Sequence, residues 1–591
     1  MKRLLSVFMC LILLFSWGSV SGDETLAGTG DSLIGGAEAL KVEVRLAEDG
    51  SILAVEVVEN KDTPVISDAA IDVVPASIVA QQSLLVDAVA GATYTSDAIL
   101  MAVRDALTKG GVDLTPFEKE TAETPMERAE DEALEADVVV IGAGGAGLTA
   151  AVQAHMNGAS VIVLEKMPKV GGNTILSGGA LNAVDDRSET AIANNDSVEW
   201  HYQQTLAGGD YQGDPALVHI LVSQAWDAVE WVKELGMPFV EGSTFMVTGG
   251  LWNRAHKPQD PVGTGFFKTY MAYIDSHEGI EVLLNTQAHT FLQDAFGRVN
   301  GVVATGASGN TLTVSAKRGV VMAAGGFSRN VEMRQTFNTQ WADLGPQIPS
   351  TNHPGATGDG IKMLMTIGAD LVQMGNIQLL PIGDPENGSL SGNIEFGVDS
   401  RIFVNKEGER FVNEGGRRDE MTNALFEQTD NFMWMIMDSD KYPTGEELNN
   451  FNESINSLVA QGRAFKGETL EELAEKIGVP YENLKASLDL YNAHCESLET
   501  DAFGRTVYGT PIDTAPFYAA GRVPTVHHTM GGVRITPKAQ VLHENGAIIP
   551  GLYAAGEITG GIHGANRLGG NALTDLLVFG RIAGENAALD K

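Results

Sequence analysis

Residues Ala136–Lys166 read ADVVVIGAGGAGLTAAVQAHMNGASVIVLEK. The unbroken apolar run Val138–Ile141 has the character of a strand buried on both faces. It ends at Gly142, and Gly142, Gly144 and Gly147 then fall at the spacing G-x-G-x-x-G, with Gly145 and Ala146 between them. A helical stretch follows, then a second apolar strand that closes on Glu165 and Lys166. A glycine turn between strand and helix lets a pyrophosphate approach the helix N-terminus, and an acid ending the next strand takes a pair of ribose hydroxyls. The order strand, turn, helix, strand, acid predicts an α/β chain with a Rossmann-like dinucleotide-binding domain.

Further glycine turns lie outward from this unit. Gly172, Asn173 and Thr174 come just after Glu165, followed by Ser177, Gly178 and Gly179. Gly326 and Asp359 belong to later turns, and Gly556, Glu557, Gly570, Asn571, Ala572 and Leu573 to the C-terminal block. Contacts drawn from such separated segments suit the long FAD molecule, held without a covalent bond, better than NAD. The chain's 68 glycines cluster in these turns, where backbone can press against a ligand.

The 591 residues exceed what one core organises. With 77 acidic against 39 basic residues the formal charge is −38, a field that repels nucleic acid and anionic membranes. Small anions remain open as ligands, because arginines in a cleft act locally. Lys2 and Arg3 precede an apolar run from Leu4 to Trp17 and small residues at Ser19 and Ser21. This pattern predicts a leader over residues 1–21, cleaved after Ser21, and hence an exported, periplasmic or cell-surface protein. The run is shorter than the roughly 20 residues of a membrane span. Of the two cysteines, Cys10 lies in the leader, so Cys495 alone remains and no disulfide framework, cysteine-based metal site or haem attachment is expected.

A small α+β domain is expected over 38–112, from the strands KVEVRL and ILAVEVVE and the helical SDAILMAVRDALTKGG. The charged, proline-punctuated stretch that follows reads as a linker, 113–135.

From about Ala136 onward the chain resembles the soluble fumarate reductase/succinate dehydrogenase flavoproteins, and urocanate reductases in particular. The motifs carrying this are GAGGAGLTAA, EKMPKVGGNT, ATGDGIKM, HHTMGGVRI and GGIHGANRLGGNAL. The resemblance implies an FAD-binding domain (136–377 and 518–591) with an inserted clamp, or capping, domain (378–517). It also implies reduction of the C=C bond of a small unsaturated carboxylate, with hydride from FAD and a proton from a clamp-domain arginine. That arginine corresponds to Arg418 in RFVNEGGRRDEM, beside Arg417; a plain salt bridge to Asp419 or Glu414 is the structural alternative. The carboxylate-binding pair corresponds to His527 and Arg567, with Gly531 in the same motif. A guanidinium suits a carboxylate and stabilises a developing enolate.

Where fumarate reductases carry a histidine for the second carboxylate, this chain has Leu380, which cannot hydrogen-bond an anion. Glu395 and Arg401 are the nearest counterparts of the family's acid and relay arginine. An acid at Glu395 suits an imidazole N–H, so the expectation is a urocanate-type reductase. Fumarate and cinnamate- or acrylate-like substrates are the alternatives, as is a flavin electron-transfer subunit without catalysis. A dehydrogenase of the ketosteroid type is disfavoured by Arg567 with His527.

Asp87–Thr93, DAVAGAT, resembles the segment of FMN-binding domains that a flavin transferase modifies, joining FMN to a threonine as a phosphoester. Thr93 is the corresponding residue, Thr95 the fallback, and Ala90 departs from the usual hydroxyl. The resemblance implies electrons passing from a membrane or periplasmic donor to FMN, and on to FAD.

Overall fold

The structure, a computed structural model, describes residues 24–63, 66–89, 92–119, 128–242 and 244–591. The leader expected at 1–21, Ala90 and the middle of the linker lie outside them.

Among the described residues the small domain is a three-stranded antiparallel sheet, β1 (Glu24–Ser32), β2 (Gly36–Leu46) and β3 (Ile52–Asn60). Helices α1 (Asp68–Gln81) and α2 (Thr93–Lys109) pack on it. Along α2, Ala98, Ile99, Ala102, Val103, Ala106 and Leu107 are buried, the stripe its helical spacing requires. They share a core with Val42, Val44 and Ile52 of the sheet. The domain starts earlier than the expected residue 38. The strand β1 escapes a propensity reading because its glycines lower strand preference, yet they let α2 lie close: a Cβ at Gly30 would meet the carbonyl oxygen of Ala98 at 1.9 Å.

The expected linker is shorter than 113–135. Phe117 is buried in the small domain's core, and Glu132–Glu135 already pair with Leu312–Ser315. They open β4 (Glu132–Ile141), the central strand of an eight-stranded sheet among the described residues. Parallel to it run β5 (Val161–Leu164) on one side and Thr311–Met322 on the other, the latter beside Ile548–Ala554. Helix α3 (Gly145–Met156) crosses from β4 to β5 and packs on the C-terminal helix Asn571–Leu589. The C-terminal ends of β4 and β5 and the N-terminus of α3 therefore converge at one edge, where open α/β sheets bind ligands.

The clamp has a separate sheet of Ile377–Gly383, Phe517–Thr529, Met433–Asp438 and Ile402–Val404, with Phe465–Gly467 added alongside. The chain enters by Ile377–Gly383 and leaves by Phe517–Thr529, and these two strands pair antiparallel. Ile377, Leu379 and Val526 belong to the core of the FAD-binding domain, whereas Leu380, Ile382, Tyr518 and Ala520 belong to the core of the clamp. The strand pair is thus built into both domains.

Candidate active site

An elongated cleft runs from the N-terminus of α3 to the clamp. Its reach, from the glycine turn before α3 to the clamp residues around Arg418, suits a dinucleotide with a substrate beyond it.

At its sheet end, Gly142 takes φ +101° and the turn brings Gly144, Gly145 and Ala146 to the cleft wall. The N-cap of α3, Gly144, has no side chain to cap the helix, and the amide of Gly145 donates to the Thr174 hydroxyl at 3.3 Å on the cleft wall. The Glu165 carboxylate accepts from the amides of Ala143 (2.7 Å) and Met167 (2.8 Å), which fixes it after β5. Lys166 spans to Asp359 (2.5 Å) and Thr357 (2.7 Å). Gly172, Asn173, Thr174, Ser177, Gly178 and Gly179 line the next wall. Gly556, Glu557, Gly570, Ala572 and Leu573 close the cleft from the C-terminal block, and Glu557 accepts from the side chain of Asn173 at 2.8 Å. The glycine turn at the N-terminus of α3, an acid after the second strand and further glycine turns along the wall fit FAD.

Four expected residues stand behind the wall. Gly147 does not line the cleft; a Cβ there would meet the carbonyl oxygen of Gly142 at 1.9 Å, so it holds α3 against the turn. Gly326 backs onto Glu557 and Thr529, and Gly531 onto Gln373, both too tightly for a side chain. Asn571 is corrected outright: its fully buried side chain accepts from Asn182 (2.8 Å), with His201 Nε2 at 3.0 Å, and it does not face the cleft.

At the clamp end Arg418, His527 and Arg567 come together on the cleft. Arg418 is the first residue of the helix Arg418–Phe426. Its Nε donates to the Thr248 carbonyl (2.9 Å) and its Nη1 to Gln378 Oε1 (2.9 Å). Burial, with the like charge of Arg567, holds its guanidinium well below the ordinary arginine range. Neither salt bridge forms: Asp419 pairs with Arg417 (2.6 Å), which also holds Asp210, and Glu414 pairs with Arg410 and Arg505 (2.8 Å each). His527 Nδ1 lies 2.8 Å from the Thr351 hydroxyl, and burial beside Arg418 and Arg567 keeps the ring well below the usual histidine value, hence neutral. Arg567 is pushed down to about 10 by burial, and its buried Nε has no protein partner, as a group kept for a ligand would.

Three contributors were not evident from the sequence. Gln378 bridges the site, accepting from Arg418 and donating from Nε2 to the Arg567 carbonyl at 2.8 Å. Thr248 and Thr351 position Arg418 and His527. Gln378 lies on the strand that carries Leu380, and alternation along that strand was the available signal.

Leu380 lines the cleft with Ile382, Leu390, Phe396 and Phe451, making this end largely apolar. Glu395 also reaches it, accepting from the Thr248 hydroxyl at 3.0 Å and paired with Arg401. Arg401 does not reach the cleft; burial beside Arg505 pushes it down to about 9. In the small domain, Thr93 is exposed at the start of α2, with Asp87 and Ala88 exposed before it. Thr95, by contrast, is buried, its hydroxyl donating to Asp62 at 2.6 Å, which removes it as an attachment site.

The FAD binding domain family matches residues 137–573, and the FMN-binding domain family matches 35–108. The chain belongs to the FAD-binding family, as a two-flavin-domain member with the fumarate reductase fold. A urocanate reductase of Eggerthella lenta is 38% identical, covering 96% of this chain and 93% of the relative. An NADH:acrylate oxidoreductase of Vibrio harveyi is 36% identical over 96% of this chain, which spans 61% of that longer protein. The open conformation of a flavocytochrome c3 fumarate reductase superposes with TM-score 0.61 at 34% identity, covering 77% of this chain and 78% of that one.

Proposed function

We propose that this chain reduces the C=C bond of an α,β-unsaturated monocarboxylate. Reduced FAD, when bound, supplies the hydride. The observation that carries this reading is the convergence of Arg418, His527 and Arg567 on the inner end of the cleft. Arg567 and neutral His527 bind the carboxylate, and the charge of Arg567 stabilises the enolate that forms as the β-carbon is reduced. Arg418 then protonates the α-carbon, its charged form already disfavoured by burial. Thr248 positions both groups, its carbonyl accepting from Arg418 and its hydroxyl donating to Glu395.

The far end of the substrate meets Leu380 and its apolar neighbours, and among the described residues no cationic side chain stands beside Leu380 for a second carboxylate other than Arg418. Similarity to the urocanate reductase and the acid at Glu395 support urocanate as substrate. The aromatic and aliphatic lining from Phe396, Phe451 and Leu390 supports an arylacrylate as the second reading. We further propose that a flavin transferase attaches FMN to Thr93, that an envelope electron donor reduces it, and that the leader directs export. Exposure of Asp87, Ala88 and Thr93, and the amides of α2 beside the phosphoester, support the attachment. Anaerobic oxidation of reduced viologen by urocanate, cinnamate, acrylate and fumarate tests the activity. Turnover with a monocarboxylate at least tenfold above fumarate is expected; fumarate as the preferred acceptor, or no oxidation at all, refutes the reading.

A further inference from the structure

The helix Val198–Gly208 ends in a loop that runs against two local preferences. Asp210 and Tyr211 follow one another at φ +55° each, the left-handed region that a bulky side chain avoids. Tyr211 is 72% exposed, so its side chain buries nothing that would offset the strain. Asp210 also places a carboxylate at the C-terminal end of a helix, where the dipole disfavours an anion. Both features bring Asp210 to the clamp, where its two oxygens accept from Arg417 at 2.6 and 3.1 Å.

Each end of this pair is tied to one of the residues that meet in the cleft. On the clamp side, Arg417 is the N-cap of the helix that Arg418 begins, and its Nε and Nη2 also hold Asp419 at 3.0 and 2.6 Å. On the other side, the end of the helix Val198–Gly208 is pressed against the residues that flank Arg567. The amide of Ala565 donates to the Gly209 carbonyl at 3.0 Å, and the Asn566 side chain donates to the Gly208 carbonyl at 3.2 Å. A Cβ at Gly208 would meet Leu568 at 2.6 Å, and one at Gly209 the His563 carbonyl oxygen at 2.4 Å, so this contact has no slack.

Neither Arg417 nor Asp210 lines the cleft. Within it, Gln378 joins Arg418 to the Arg567 carbonyl; the pair Arg417–Asp210 joins the same two segments from outside. An isolated exposed ion pair contributes little. Here one planar guanidinium, its side chain 19% exposed, is gripped by two carboxylates at once, which leaves it a single orientation.

We propose that Asp210 and Arg417 are a positioning pair, a brace outside the cleft that fixes Arg418 at its working distance from Arg567. This rests on the reading of Arg418 as proton donor and Arg567 as carboxylate anchor. A substrate gripped at Arg567 presents its α-carbon at a fixed place, and proton transfer suffers when the acid is displaced from it. The brace holds that spacing without touching substrate or flavin.

The test compares the native, FAD-loaded full chain with Asp210→Asn, Asp210→Glu, Arg417→Gln, and Asp210→Asn combined with Arg417→Gln. Viologen oxidation by urocanate, cinnamate and acrylate is followed in H2O and in D2O. Asp210→Asn is expected to keep its FAD and to lower kcat about tenfold with KM within about twofold. The solvent isotope effect on kcat should rise, because proton transfer becomes the slow step. Asp210→Glu should recover most of the rate, and the combined variant should be no slower than Arg417→Gln, since both changes remove one interaction. A kcat of Asp210→Asn within about twofold of native, a loss confined to KM, or single losses that multiply in the combined variant overturns the brace. Amide exchange in the helix Arg418–Phe426, followed by mass spectrometry, reads the brace without turnover. Faster exchange in Asp210→Asn supports it, and unchanged exchange overturns it. A native protein that reduces none of the three acids refutes Arg418 as donor, and the exchange measurement then decides the brace alone.

Discussion

A guanidinium yields its proton only where its charged form is costly, and three features make it so at Arg418. Burial removes it from water, Arg567 adds a like charge, and it occupies the first turn of a helix, where the dipole opposes a cation. Its neighbours hold it by neutral oxygens, those of Thr248 and Gln378, rather than by carboxylates that would stabilise the charge. Arg418→Gln should therefore lower kcat on order of 10³-fold, with FAD content retained and KM within a few-fold; steady-state kinetics and flavin absorbance check this. His527 is neutral by the same logic, burial first and then two arginines. The profile of kcat/KM should show no acid limb near the ordinary histidine value of about 6.5, and a limb there that vanishes in His527→Gln would contradict the neutral assignment. These cleft residues were legible because each sits in a dense local motif. Gln378 was not, because its role arises only when the strand Ile377–Gly383 is laid beside the loop that carries Arg567.

At the scale of elements, the turn after β4 was readable since its chemistry is sequential: strand, glycines, helix and acid are contiguous. Asn571 misled for the converse reason. It starts a helix whose neighbours Gly570 and Ala572 do face the cleft, but its side chain turns to Asn182 and His201, both distant in sequence. Gly147 gives the sharpest element-level expectation. A methyl group there would collide with the Gly142 carbonyl, so α3 must shift from the turn. Gly147→Ala should purify with less than a tenth of the native flavin-to-protein ratio, measured by absorbance after denaturation, because the amides of α3 no longer converge on the pyrophosphate site.

Over the whole molecule, buried histidines tie stability to pH. His201 is fully buried, and burial followed by the charge of Arg254 lowers it from about 6.5 to about 3. Between these values the unfolded chain binds a proton that the folded one does not, so stability falls as pH drops through the window, by about 1.4 kcal/mol per pH unit for this one group. His201→Gln should flatten the dependence of chemical-denaturation stability between pH 6 and 4 by about one proton's worth; an unchanged slope would assign the acid lability elsewhere. The architecture has a further consequence. The clamp leaves and rejoins its host through neighbouring strands, with Gly383 opposite Val523, so the excursion between them begins and ends at one place. An insertion whose ends already touch can be exchanged without rethreading the host sheet. Arg418, the proposed acid, travels with that cassette, whereas His527 and Arg567 stay with the host. Grafting a related clamp onto this frame would thus swap the proposed proton donor and part of the far-end lining together, leaving the proposed carboxylate anchor in place.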